Sequence, residues 1–167
     1  MSIEIKGLDS LMKKLAELGG NVKKPVKVGM DVGLTKITNS AQINCPVDMG
    51  RLRQSIQYDL SENGDKIVGT VGTNVEYALY VEFGTGPVGQ SNAPEAAIQN
   101  GIAYRTTAWA FPAPSNSVKF GWKEGERVFT RGQAAQPFLY PALKQHQQDV
   151  FDEIAYCLEY DIKRLSK

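Results

Sequence analysis

Two runs of alternating apolar residues meet at Asn63-Gly64. In the first, Leu52 to Leu60, the residues Leu52, Ile56, Tyr58 and Leu60 share one face. In the second, Lys66 to Thr73, Ile67 and Val71 share a face and Val68 takes the other. An Asn-Gly pair between alternating runs is the strongest short-range signal for a β-hairpin with a type I′ turn. This stretch is therefore antiparallel sheet.

Upstream, Leu8, Leu11, Met12, Leu15 and Leu18 recur at helical spacing. Asp9 or Ser10 supplies an N-cap and Gly19-Gly20 a stop, which predicts a short amphipathic helix. Residues 26–34 satisfy two periods at once. Val26, Val28, Met30, Val32 and Leu34 alternate as a strand would, while Val26, Met30, Leu34, Ile37 and Ala41 form one helical stripe. Gly29 and Gly33 weaken either reading. Thr35 to Ile43 favours helix, and Pro46 closes it.

Downstream, Val75 to Phe83 reads as a short helix or a strand. Tyr77, Tyr80 and Val81 lie at helical spacing, and the density of aromatics predicts burial. From Gly84 a loop is expected. Pro94 and Gly101 bracket a small helix. Tyr104 to Phe129 is a long excursion rich in aromatics, glycine and proline, with room for a hairpin. Its Trp109, Phe111, Phe120 and Trp122 either fold back over the core or bury against a neighbouring subunit. After Pro137, the residues Phe138, Leu139, Leu143, Val150, Ile154, Leu158 and Ile162 predict a long amphipathic helix, with a break possible at Pro141. Lys163, Arg164 and Lys167 suit its C-terminal dipole.

The chain of 167 residues fits one domain, and an apolar content of 42% is enough for a core. A net charge of +1 gives no global pull toward nucleic acid or membrane. The first residues lack the apolar core of a signal peptide, and no apolar run approaches membrane-spanning length. A soluble protein made in the cytoplasm is expected, with Cys45 and Cys157 reduced.

Candidate chemistry is sparse. Gly84 to Gly89 spells GxGxxG, but the dinucleotide fingerprint needs a preceding strand and a helix start, and Pro87 argues against the latter. His146 is the single histidine. Pairing it with Cys45 or Cys157 as base and nucleophile lacks a third orienting group, and its Lys-Gln-His-Gln-Gln setting reads as a solvated helix face. One histidine and two distant cysteines make a poor metal set. Asp48, Glu76 and Glu82 would serve a hydrolase only by converging on a cleft. Ion pairing with Arg51, Arg53 or Arg131, or helix capping, is the simpler role. Lys13, Lys14, Lys23, Lys24 and Lys27 form a basic cluster that would suit DNA phosphates, or simply a solubilising face. No cofactor and no enzymatic activity are expected.

Three blocks in order give a sharper reading: Cys45-Pro-Val-Asp-Met-Gly-Arg-Leu52, Tyr77-Ala-Leu-Tyr-Val-Glu-Phe-Gly-Thr85 and Gln136-Pro-Phe-Leu-Tyr-Pro-Ala-Leu143. They resemble the "gene product ten" tail-component family of lambda-like siphophages and prophages. Pro46, Asp48, Gly50 and Arg51 match the first motif, with Met49 where the family has Thr. Tyr77, Tyr80, Glu82, Phe83 and Gly84 match the second, and Pro137 and Phe138 the third.

The resemblance implies an α+β fold: a small antiparallel sheet against a long helix from about Val22 to Ile43 and a C-terminal helix. It implies one domain over 1–167, with an elaborated insertion at about 86–128. It places Asp48 and Arg51 at the helix-to-strand corner and Tyr77, Tyr80 and Phe83 in the core under the sheet, with Gly84 and Gly86 releasing the loop. The implied role is tail completion or head–tail joining in the virion neck, through a ring of copies, hexameric in the assembled particle. Its neighbours would be tail-terminator, tail-tube or connector proteins, with DNA nearby and no membrane. The alternative is a DNA-binding module using the lysine-rich N-terminal helices.

Overall fold

The computed structural model describes residues 2–3, 22–47, 50–64, 66–112, 122–124 and 127–165. The helix expected over Leu8–Leu18 lies outside them, as do Lys13, Lys14, Asp48 and Phe120. The chain is α+β and divides into two compact units, residues 1–74 with 141–167, and residues 75–140.

In the first unit, β1 (Ser2–Ile3), β2 (Gln57–Asn63) and β3 (Lys66–Gly72) form an antiparallel sheet in the order β1-β3-β2. Helix α1 (Lys23–Asn44) packs on it. The helical stripe thus prevails over the strand reading of 26–34, and Val26, Met30, Leu34, Ile37 and Ala41 are all buried. Pro25 sits in the first turn, where its missing N–H is not needed. Cys45 is extended ahead of Pro46 and ends the helix.

Residues 51–55 correct the expected strand. Gly50, in the left-handed region at φ 77°, opens a single helical turn, α2 (Arg51–Ser55), and β2 begins only at Gln57. Leu52 and Ile56 are both buried. Their spacing of four satisfies helix and strand alike, so periodicity alone does not separate the two. The hairpin is present, but Asn63 pairs with Lys66. Gly64, at φ 60°, therefore follows the last paired residue instead of sharing the turn with Asn63.

Tyr58 and Leu60 lie opposite Val71 and Gly69. A Cβ at Gly69 would come within 2.6 Å of Leu34 Cδ1, so this glycine makes room for the helix. Polar contacts fix the same pairing. Tyr58 Oη donates to Asp31 Oδ1 at 2.7 Å, Lys23 and Lys27 both pair with Glu62, and Lys23 Nζ also reaches the Gly64 carbonyl at 2.8 Å.

The C-terminal helix α6 (Leu139–Leu165) is unbroken. Pro141 is its third residue, where a proline removes no intrahelical bond. Val150, Ile154 and Leu158 are buried along one stripe, with Lys163 and Arg164 in the last turn. Gly29 and Gly33, one turn apart on α1, bring α1 against this helix. A Cβ at Gly29 would lie 2.5 Å from Ile154 Cα, and one at Gly33 would lie 2.8 Å from Val150 Cα. Lys36 Nζ reaches Glu153 Oε1 across the seam at 2.7 Å.

In the second unit, three short helices follow one another: α3 (Ala78–Phe83), α4 (Gly86–Ser91) and α5 (Glu95–Gln99). The bracketing by Pro94 and Gly101 holds for α5. The long excursion contains a three-stranded antiparallel sheet of β4 (Trp109–Pro112), β5 (Trp122–Glu124) and β6 (Arg127–Thr130), in the order β4-β6-β5.

Two expectations fail here. A helix follows Gly84-Thr85 where a loop was expected. Tyr77 and Tyr80 are also not core residues, being 41% and 59% exposed, and Phe83 is half-buried. The helical spacing of the segment is right, but the buried stripe is Ala78–Glu82, which turns the rings outward.

Candidate functional site

Glu82 is the organising residue of the second unit. It is 2% exposed, and its carboxylate accepts from the backbone N–H groups of Phe138 (2.7 Å), Leu139 (3.0 Å) and Tyr140 (2.9 Å). A helix leaves its first four N–H groups without intrahelical partners. In α6 the carboxylate takes those of Phe138, Leu139 and Tyr140, and the next residue is Pro141, which has none. A negative group at this end also complements the helix dipole. Glu82 therefore joins the second sequence block to the third, and both its oxygens are occupied.

The joint continues along the chain. Thr85 N–H donates to Gln133 O at 2.9 Å, Val88 N–H to Arg131 O at 3.2 Å, and Gln136 N–H to Val81 O at 2.8 Å. Gln133 N–H returns a bond to Thr85 Oγ1 at 3.1 Å, and its side-chain amide reaches Tyr80 O at 2.8 Å. Gly84 and Gly86, at φ 74° and 61°, allow this approach. A Cβ at Gly86 would lie 2.7 Å from Trp109 Cζ3 and would collide with Arg131 O. These glycines were expected to free the loop, and here they clamp it.

Beside the clamp lies an open cleft of about 700 Å³, lined by Tyr77, Leu79, Tyr80, Tyr104, Arg105 and Trp109 among others. Leu79 is 64% exposed. The Arg105 guanidinium stands 5.4 Å from the centre of the Trp109 ring, within cation–π range. Tyr104 Oη donates to Phe83 O at 2.7 Å, and burial pushes the Tyr104 hydroxyl pKa up. The lining offers apolar area, backbone carbonyls and a guanidinium. Such a lining suits contact more than chemistry, and among the described residues it pairs no nucleophile with a base.

The other candidate residues do not come together as a catalytic group. Pro46 and Pro137 are half-buried, Phe138 is fully buried, and Arg51 is exposed at the start of α2. Glu76 is exposed, whereas Glu82 is consumed as a cap. Trp109 is half-buried in β4, Phe111 is exposed, and Trp122 lies in β5. His146 Nδ1 is 2.7 Å from Asp149 Oδ2 on its own helix, and that bond holds the Asp149 carboxyl below its usual range.

Cys45 and Cys157 are both free, and burial, followed by Glu153 and Asp161, raises the Cys157 thiol pKa. Among the described residues no cluster of His, Cys, Asp and Glu could hold a metal. No helix among them is long and apolar enough to cross a membrane. The GxGxxG match does open a helix, but α3 precedes it where the fingerprint needs a strand. Of the lysine cluster, Lys23 and Lys27 are paired with Glu62 and Lys24 is exposed.

Sequence reasoning missed Arg105, the 131–136 partner strip and the Gly29/Gly33 seam. The last carried a usable signal, two glycines four apart on a helical stripe. No curated protein and no solved structure matches the chain. Residues 9–84 match the family described as "Bacteriophage HK97-gp10, putative tail-component", and over that span, from before α1 through the hairpin to Gly84, the chain is similar to HK97-gp10-like phage tail components.

Proposed function

We propose that this protein acts in tail completion or head–tail joining, as a ring of copies, hexameric in the assembled virion, at the head-proximal end of a siphophage tail. The family match supports a place in the virion as a structural tail component. The observation that favours a joining role is the cleft, an exposed aromatic surface carried beside a buried acid that is wholly used in capping. A surface of that kind supports contact and offers no group for bond making. The protein is made in the host cytoplasm and carries no cofactor. It works as a single domain over 1–167, and its insertion at about 86–128 supplies contacts particular to this phage. Tail-tube, tail-terminator or connector proteins are its neighbours.

The test is the absolute mass of the purified protein by light scattering, alone and with tail-tube ends, with electron microscopy to locate it. Ring-sized species, or binding confined to tube ends, bear the reading out. A protein that ignores tube ends and instead binds duplex DNA with steep salt dependence overturns it in favour of the lysine-based alternative.

A further inference from the structure

Two surfaces of this chain have complementary chemistry. The cleft in the second unit is aromatic and aliphatic, with Arg105 at its rim. In the first unit, α6 carries exposed Asp152, Tyr156, Glu159 and Tyr160, which helical spacing spreads over an arc of roughly 100° on one side of the helix. Tyr156 and Tyr160 are 68% and 63% exposed. Val28, also exposed, lines a groove of about 360 Å³ with them, which widens the apolar patch. Among the described residues Glu159 pairs with the exposed Lys163 at 3.5 Å, a contact of little strength.

We propose that the Tyr156–Tyr160 stripe of one copy seats in the Tyr77–Leu79–Tyr80 cleft of the next, with Glu159 meeting Arg105. The occupant is a second copy because that copy supplies both halves of the match, tyrosine rings for an aromatic cleft and a carboxylate for its arginine. This is recognition of a helix in a groove. The two surfaces are different patches, so the contact is head-to-tail, the type that generates rings when the rotation closes. The inference deepens the ring reading and rests on it only for closure.

The area sets the strength. Two tyrosine rings that are two-thirds exposed bring roughly 200–350 Å². A stable interface needs about 800 Å² per partner. The pairwise contact is therefore weak in dilute solution and tightens where copies are held side by side.

The experiment is disulfide trapping at high concentration in the full chain, in a Cys157→Ser background. Copies carrying Leu79→Cys are mixed with differently tagged copies carrying Tyr160→Cys. Both sites are exposed, so folding is not at stake, and far-UV circular dichroism verifies it. Cross-links between unlike copies should outnumber those between like copies. Adding Arg105→Glu should cut trapping at least five-fold, and Glu159→Arg on the partner should restore most of it. Like–like links in excess, trapping no faster than for the exposed control pair Leu79→Cys with Gln99→Cys, or no response to charge reversal would each overturn the proposal. If trapping fails yet wild-type rings cap tube ends, this contact is wrong and the joining role stands. Trapping without tube binding has the opposite meaning.

Discussion

Gly29→Ala tests the seam between α1 and α6. An added methyl would sit 2.5 Å from Ile154 Cα, 2.7 Å from Ile154 N and 2.9 Å from Glu153 C. All three atoms are backbone, so no side chain can turn aside. Restoring ordinary contact at 3.4 Å or more requires the helices to part by about 1 Å. A gap of that size removes a quarter to a half of the dispersion well for the atoms lining it. Val150 and Ile154, which meet the two glycines, are both buried.

Overpacking costs about 1–3 kcal/mol, and the rigid neighbours put Gly29 near ~3. Replacing glycine by alanine within a helix gains about 1 kcal/mol. The net is a destabilisation of about 2 kcal/mol. With an m-value of about 2 kcal/mol/M, the urea midpoint followed by far-UV circular dichroism should fall by roughly 1 M. Gly33→Ala should fall by less, because part of its clash is with the Val150 side chain. Gly72→Ala, with nothing within 4 Å, is the control. A Gly29→Ala midpoint equal to or above wild type would mean that helix propensity outweighs contact, and it would refute the close seam.

Other perturbations address the cap, the surface and the ion pairs. Glu82→Ala should cost about 3 kcal/mol or more by leaving buried donors unpaired, and hydrogen exchange at Phe138, Leu139 and Tyr140 should accelerate. Unchanged exchange there rules out the cap. Tyr80→Ala should leave stability within about 0.5 kcal/mol, because its ring is exposed. A large loss would return Tyr80 to the core.

Lys27 and then Lys23 hydrogen-bond the Glu62 carboxylate and hold its pKa below the usual range. A depressed folded value gives stability that is present above the unfolded pKa of about 4.3 and is lost as pH falls through the folded value. The stability difference between wild type and Glu62→Gln should therefore be present at neutral pH and vanish on acidification. A pH-independent difference contradicts the pairing. Lys36 runs the other way. Its hydrogen bond to Glu153 raises its pKa, so the advantage over Lys36→Met is complete below about pH 10 and disappears at higher pH.

Much of the first unit is readable from local pattern. The stripe Val26–Met30–Leu34–Ile37–Ala41 and the alternation around Asn63-Gly64 each report one preferred face; the structure buries the stripe fully, whereas on the hairpin Val71 is buried and Tyr58, Leu60 and Ile67 are half-buried. The errors fall where one spacing serves two periods, as with Leu52 and Ile56, or where a tertiary partner decides. Gly29 and Gly33 look like helix weaknesses until α6 lies against them. Glu82 reads as one more surface acid because its partners are backbone amides more than fifty residues away, and amides leave no mark in a sequence. Helix capping was one of the two simple roles left open for it, beside ion pairing, and no spacing rule could have named α6 as the helix it caps.

That cap also accounts for the exposed rings. A helix of six residues has one inward face, and in α3 it is taken by Ala78 and by Glu82, whose carboxylate must reach the start of α6. Tyr77, Leu79 and Tyr80 are then directed outward by helical geometry alone. Each leaves apolar area in water at about 25 cal/mol per Å² forgone. A chain selected only for stability would carry polar residues at these positions. Apolar residues clustered around one cleft, with an arginine at its rim, make sense where a second surface covers them. The residue that fixes the α6 start thus also sets which rings α3 presents to the cleft.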